Sequence, residues 1–139
     1  MKLSERDLEL IEIAAQATKI SKKYEDNDTG CVGCALLTKK GSIYVGVNLD
    51  FDCGLGFCAE HSAIASTNGE NEIKTIVAVF SDGIIGPPCG RCRELIYQTN
   101  EENLNAYVII ENDKKIKFRL LLPEIWQERY KDNQDTFII

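Results

Sequence analysis

Apolar positions recur at helical spacing near the start of the chain, where Leu10, Ile13, Ala17, Ile20 and Tyr24 form a stripe. Ser4 followed three residues later by Asp7 makes a capping box at its head, and the polar cluster at 25–30, ending in Gly30, stops it. The pattern then changes to strands over 32–37 and 42–47, joined across Lys39, Lys40 and Gly41 as an antiparallel hairpin. A run of small residues over 58–68 predicts a helix that lies close to a sheet, with Gly69 as its left-handed cap. The unbroken apolar run at 75–80 predicts a central strand covered on both faces. A short helix over 89–99, a strand over 106–111 and a last helix with Pro123 in its first turn complete the chain.

The order α, β, β, α, β, α, β, α predicts a three-layer α/β/α fold around a central mixed β-sheet. At 139 residues, without internal repeat or linker, residues 1–139 are expected to form a single domain. A composition of 44% hydrophobic and 27% charged residues is that of a globular protein. No apolar run approaches the roughly 20 residues that span a bilayer, and the charged start does not match an export signal. A cytoplasmic location with no membrane partner is the expectation, and six cysteines there are thiols or metal ligands rather than disulfides. A net charge of −6 with scattered lysines and arginines argues against a nucleic-acid partner.

The candidate chemistry lies at two helix starts, "CAEH" at 58–61 and "PPCGRC" at 87–92. Cys89 and Cys92, three apart, point to one side of a first helical turn. Cys58 and Glu60 lie about 200° apart on an ideal helix, so they share a site only if it sits off the helix end. There the free N–H groups and the helix dipole favour a thiolate. Three thiolates suit zinc and leave its fourth position open to water, with Glu60 as a nearby carboxylate that moves protons without binding the metal. Arg93 and His61 stand next to these groups and are expected to hydrogen-bond to sulfur. A second C-x-x-C, Cys31 and Cys34, makes a closed four-cysteine site with Cys89 and Cys92 arithmetically possible. Alternation along a strand separates that pair, and such a site leaves Cys58 and Glu60 without a role. Cys34 reads as a small buried hydrophobe, Cys53 as a loop thiol, and Trp126 as a packing residue of the last helix.

The pair "CAE" and "PCGRC" resembles the signature of the zinc-dependent cytidine deaminase superfamily, in its three-cysteine branch. The segment "VGCALLTKKGSIYVGVNLD" is similar to the part of that family that runs into its nucleoside-binding element, and "LLPEIW" to the family's C-terminal ending. The resemblance implies that Cys58, Cys89 and Cys92 hold zinc and that Glu60 is the proton shuttle. It further implies that Asn48 and Asp50 bind ribose, and that the backbone N–H groups of Cys58 and Ala59 face the pyrimidine carbonyl.

The activity that the resemblance implies is hydrolytic deamination of a cytosine nucleoside, cytidine or deoxycytidine, in pyrimidine salvage, by a homotetramer. A deaminase of the blasticidin S type is the alternative, and a non-catalytic zinc-stabilised binding domain is the rival of another class. Four positions depart from the family pattern: Asp50 is one methylene shorter than the usual Glu, Cys31 replaces an aromatic residue, His61 an Arg, and Glu94 a Gln.

Overall fold

Ser4 and Asp7 open the first helix as their spacing predicts. The Ser4 amide donates to Asp7 Oδ2 at 2.7 Å, and the Asp7 amide returns a bond to Ser4 Oγ at 3.3 Å. In the computed structural model, which describes residues 1–20 and 27–133, this helix is α1 (Glu5–Ile20). Its buried face is Asp7, Leu10, Ala14, Ala17 and Thr18. The expected stripe is therefore correct at Leu10 and Ala17, half-buried at Ile13, but not at Ile20, the last residue of the helix, which is 85% exposed. Tyr24 lies outside the described residues.

The strands are β1 (Val32–Thr38), β2 (Ile43–Val47), β3 (Leu49–Asp50), β4 (Gly56–Phe57), β5 (Ile73–Phe80), β6 (Ile85–Gly86), β7 (Tyr107–Glu111) and β8 (Lys114–Lys117). The helices after the first are α2 (Ala59–Ala65), α3 (Gly90–Thr99) and α4 (Trp126–Asn133), with short 3₁₀ turns at Glu101–Asn105 and Phe118–Leu121. The main sheet runs β2-β1-β5-β7-β8, with β6 paired to β5, while β3 and β4 form a separate ribbon. The β1–β5 ladder is antiparallel from Val32↔Phe80 onward, and β5 pairs with β7 in parallel, so the sheet is mixed, as expected.

The apolar run at 75–80 belongs to the central strand, and its alternation feeds two cores. Val77 and Val79 point to the α1 side with Leu10, Ala14, Ala35 and Ile109. Ile76 points to the other side with Leu36, Ala63, Ile96, Val108 and Phe118. Helices on both faces make the three layers. On the second face α2 lies against β2 so closely that a Cβ on Gly46 would come 2.6 Å from Ser62 Cβ and 2.8 Å from the Ala59 carbonyl oxygen. Only glycine permits that approach. The far end of α3 is held by the fully buried Asn103, which accepts from the Ile73 amide at 2.7 Å and donates to the Ile96 carbonyl at 2.9 Å.

Two helix boundaries differ from expectation. Helix α2 ends at Ala65, and Gly69, at φ 96°, closes the turn beyond it rather than the helix itself. Helix α4 begins at Trp126, so Pro123 precedes it instead of occupying its first turn. Trp126 is 59% exposed, with Tyr130 as an edge-on neighbour at 6.4 Å, so it packs on its own helix but not into the core. Strand β8 was not foreseen: its four residues include three lysines, and Lys117 and Lys115 lie over the Tyr107 ring at 3.7 and 4.9 Å. Among the described residues no helix is long and apolar enough to cross a membrane.

Candidate active site

Both motif cysteines that lead into helices occupy N-cap positions. Cys58 caps α2 at φ −69°, ψ 159°, and Cys89 caps α3 at φ −67°, ψ 171°, neither with a side-chain capping bond. Extended backbone at a cap turns each side chain toward the helix end, where the first N–H groups lack helical partners. Cys92, one turn into α3, is fully buried. The two helix starts thus bring three sulfurs together, with Cys89 Sγ 3.7 Å from Cys58 Sγ and 3.6 Å from Cys92 Sγ. Ligand atoms of Cys58, His61 and Cys92 also lie within 4.8 Å of one another.

That donor set fits zinc. Tetrahedral thiolates at about 2.3 Å from a metal are separated by about 3.8 Å, close to the two sulfur–sulfur edges seen here. Cys34 lies elsewhere, fully buried in β1 among the core residues of the α2–α3 face. It is a small apolar filler, as expected, and the four-cysteine alternative gains nothing from it. Cys53 is exposed on the β3–β4 loop with φ 62°.

Glu60, in the first turn of α2, is 6% exposed. Burial lifts its carboxyl above the usual glutamate range, while its own amide and the Cys92 thiol draw it part of the way back. Burial, the Glu60 charge and the neighbouring thiols push the Cys92 thiol up. Cys89 goes the other way: burial alone would raise it, but the amides of Cys92 and Arg91 at the α3 start and the adjacent thiols pull it below the usual range. His61 is held toward its neutral form by burial and by the Arg91 charge, and its Nε2 is buried without a partner among the described residues, so the expected hydrogen bond from it to sulfur is not made.

A cleft of about 440 Å³ opens beside this cluster. Cys58, Ala59, Glu60 and Cys89 line it together with Asn48, Asp50, Phe51, Leu55, Phe80 and Arg91. All of the expected site residues except Cys92, His61 and Arg93 border it. Asn48 and Asp50 are already engaged by the chain. The Asn48 amide accepts from the Val32 N–H and donates to the Asp28 carbonyl, both at 2.9 Å, and Asp50 Oδ2 accepts from the Asp28 N–H at 3.1 Å. Arg93 departs from expectation. Its guanidinium donates not to sulfur but to the carbonyls of Pro88, at 2.7 Å, and Leu121, at 3.1 Å, because the entry loop of α3 and the C-terminal 3₁₀ turn leave those acceptors within its reach. It braces the loop that carries Cys89.

Phe80 and Arg91 are among the cleft-lining residues that were not expected there from the sequence. The signal for Arg91 was a cation between two cysteines. For Phe80 it was an aromatic residue that ends a buried strand on the site-facing side.

The family described as "Cytidine and deoxycytidylate deaminase zinc-binding region" matches residues 4–108. The chain is 39% identical over 125 residues to a blasticidin-S deaminase of Bacillus cereus, covering 82% of this chain and 85% of that one. It is 34% identical over 80 residues to a cytidine deaminase of Halalkalibacterium halodurans, covering 55% and 61% respectively. Among solved structures, the cytidine deaminase from Mycobacterium leprae superposes with a TM-score of 0.72 at 26% identity, over 88% of this chain and all of that one. The cytidine deaminase from Burkholderia pseudomallei gives 0.68 at 27%, over 88% and 98%. With three-quarters of its length matched, the chain belongs to the zinc-binding cytidine and deoxycytidylate deaminase family, and it is a zinc-dependent hydrolytic deaminase.

Proposed function

We propose that the chain removes the exocyclic amine of a cytosine ring carried on a nucleoside-type substrate. Water adds to C4, ammonia leaves, and a carbonyl replaces the amine. The observation that carries this reading is a buried carboxylate, Glu60, that lines an open cleft beside three clustered thiols. In this reading Cys58, Cys89 and Cys92 hold the zinc, which when bound supplies a Lewis acid and makes water nucleophilic near neutral pH. Glu60 takes a proton from the attacking water and delivers it to ring N3, then takes the remaining proton from the newly added hydroxyl and passes it to the departing amine, so that the C4 carbonyl forms as ammonia leaves. The Ala59 N–H, in the first turn of α2 where no helical carbonyl precedes it, faces the ring carbonyl.

A second reading concerns the sugar. Asn48 and Asp50 are the expected ribose clamp, and cytidine or deoxycytidine in salvage is what that clamp suits. Both side chains are bonded to Asp28 and its neighbourhood, however, and the 39% identity to a blasticidin-S deaminase spans most of both chains. These observations favour a cytosine nucleoside of the blasticidin S type over one held by a ribose clamp. The acting unit in either reading is a homotetramer, which light scattering tests.

Ammonia release from cytidine, deoxycytidine, cytosine and blasticidin S decides between the readings, in wild type and in Asp50→Ala. Turnover of cytidine far above cytosine, reduced in Asp50→Ala, supports the ribose clamp. Turnover of blasticidin S that is indifferent to Asp50→Ala supports the second reading. No ammonia from any of the four removes the proposal.

A further inference from the structure

Phe80 is 43% exposed although the five residues before it in β5 are buried, and nothing in the deamination chemistry above uses it. It lies on the same strand face as Ala78, and both line the cleft with Cys58 and Glu60. The ladder position opposite Ala78 is Gly86. A Cβ there would come 2.6 Å from Phe80 Cε2 and 3.3 Å from Cζ, so the missing side chain is what lets the ring lie across the β6 backbone. Its backbone is fixed as well: the Phe80 amide donates to the Ile84 carbonyl, and the Ser81 amide to the Cys31 carbonyl, each at 2.8 Å. Phe51, Leu55 and Phe57 also border the cleft, but they belong to the separate β3–β4 ribbon and its loop, whereas Phe80 stands on the central strand. The adjoining strand offers no ring, since Val32 is its register partner and Cys31 precedes it.

We infer that Phe80 is the stacking surface for the planar ring of the substrate, and that Gly86 sets the tilt of that surface. An aromatic face on a rigid strand meets a base with little loss of side-chain freedom, and such contacts are sequence-tolerant because every base has a π-face. The inference rests on the proposal that a cytosine ring enters this cleft.

The test uses zinc-loaded wild type, Phe80→Ala, Phe80→Leu, Phe80→Tyr, Gly86→Ala and the Phe80→Ala/Gly86→Ala double variant. KM and kcat are measured on whichever of cytidine and blasticidin S the wild type turns over, and the Kd for the deaminated product is measured by calorimetry. Phe80→Ala is expected to raise KM and product Kd by about 5- to 150-fold, the range of one base–aromatic stack, with zinc content and Tm unchanged. Phe80→Tyr should restore both, and Phe80→Leu only in part. Gly86→Ala should raise KM in the wild-type background yet add nothing to Phe80→Ala, because the methyl acts only through the ring. Unchanged KM and Kd in Phe80→Ala, full rescue by Phe80→Leu, or additive effects in the double variant would overturn the inference while leaving the deaminase reading intact. A wild type that neither turns over nor binds either nucleoside overturns that reading, and the stacking role with it.

Discussion

Two buried carboxylates, one on each side of the sheet, are handled in opposite ways. Asp7, 2% exposed on α1, accepts from the Ser4 amide and hydroxyl at 2.7 and 2.8 Å and from Lys115 Nζ at 2.6 Å. Burial would raise its pKa, but Lys115 and Ser4 outweigh that and leave the group below the usual aspartate range. Glu60, nearly as buried, forms no ion pair among the described residues and is shifted up by that burial. The difference separates structure from chemistry. A carboxylate that is fully paired holds two elements together and has no proton to trade, whereas one left without a cation is poised to exchange protons.

The most severe way to test this contrast is to remove the thiols beside Glu60. Cys58→Ala, Cys89→Ala and Cys92→Ala should each lose zinc and essentially all turnover, while Cys31→Ala and Cys53→Ala keep one zinc per chain. Metal analysis of the five purified variants checks it, and zinc retained by Cys58→Ala would break the assignment.

Glu60→Gln comes next. It should keep zinc and the wild-type Tm but turn over roughly 10²- to 10⁴-fold more slowly, the usual contribution of a positioned proton carrier. Near-normal turnover in the metal-loaded variant would make Glu60 as structural as Asp7.

Asp7→Asn should show the reverse pattern: turnover unchanged at a temperature where the protein is folded, and stability lowered by roughly 3 kcal/mol because Lys115 is left largely buried without its partner. Chemical denaturation and ammonia release on the same sample separate the two effects.

The smallest effect is in pH. Because the folded-state pKa of Asp7 lies below its unfolded value, the stability it contributes is present above about pH 4 and is lost as pH falls through the folded pKa. The gap in stability between wild type and Asp7→Asn should therefore narrow below about pH 4. A gap that stays constant down to strong acid would show that the ion pair is not what sets the Asp7 pKa.

Local signals carried most of what the sequence disclosed. The capping box at Ser4 and Asp7, the apolar run at 75–80 and the cysteines at two helix starts each lie within a few residues, so the chain spells them out directly. What escaped depended on partners distant in sequence. Arg93 reaches a carbonyl 28 residues away, and Asn48 closes onto Asp28, neither of which has a periodic signature. Strand β8 hid behind its lysines, because an edge strand needs little apolar surface and benefits from charge. Ile20 keeps the helical period yet is exposed at the helix end, because periodicity alone does not say where a helix stops being covered. In the site itself the sequence brought the zinc-binding chemistry into view, but Phe80 looked like one more core residue until the strand faces were assigned.

The absence of a side chain at Gly46 has a consequence for how this molecule can be altered. Glu60 and Cys58 ride on a helix whose backbone and Cβ atoms already touch the sheet, so even a single methyl at position 46 must shift the helix or its neighbours. The cleft rim, with Asp50 exposed and Phe80 partly so, is restricted in this way at Gly56, where a Cβ would meet the Leu49 carbonyl oxygen, and at Gly86, where it would come 2.6 Å from Phe80 Cε2, but its exposed side chains have room to change. A variant library aimed at new substrates should therefore leave the seam between α2 and β2 untouched and diversify the rim, where the shape of the cleft can change without moving the proton carrier.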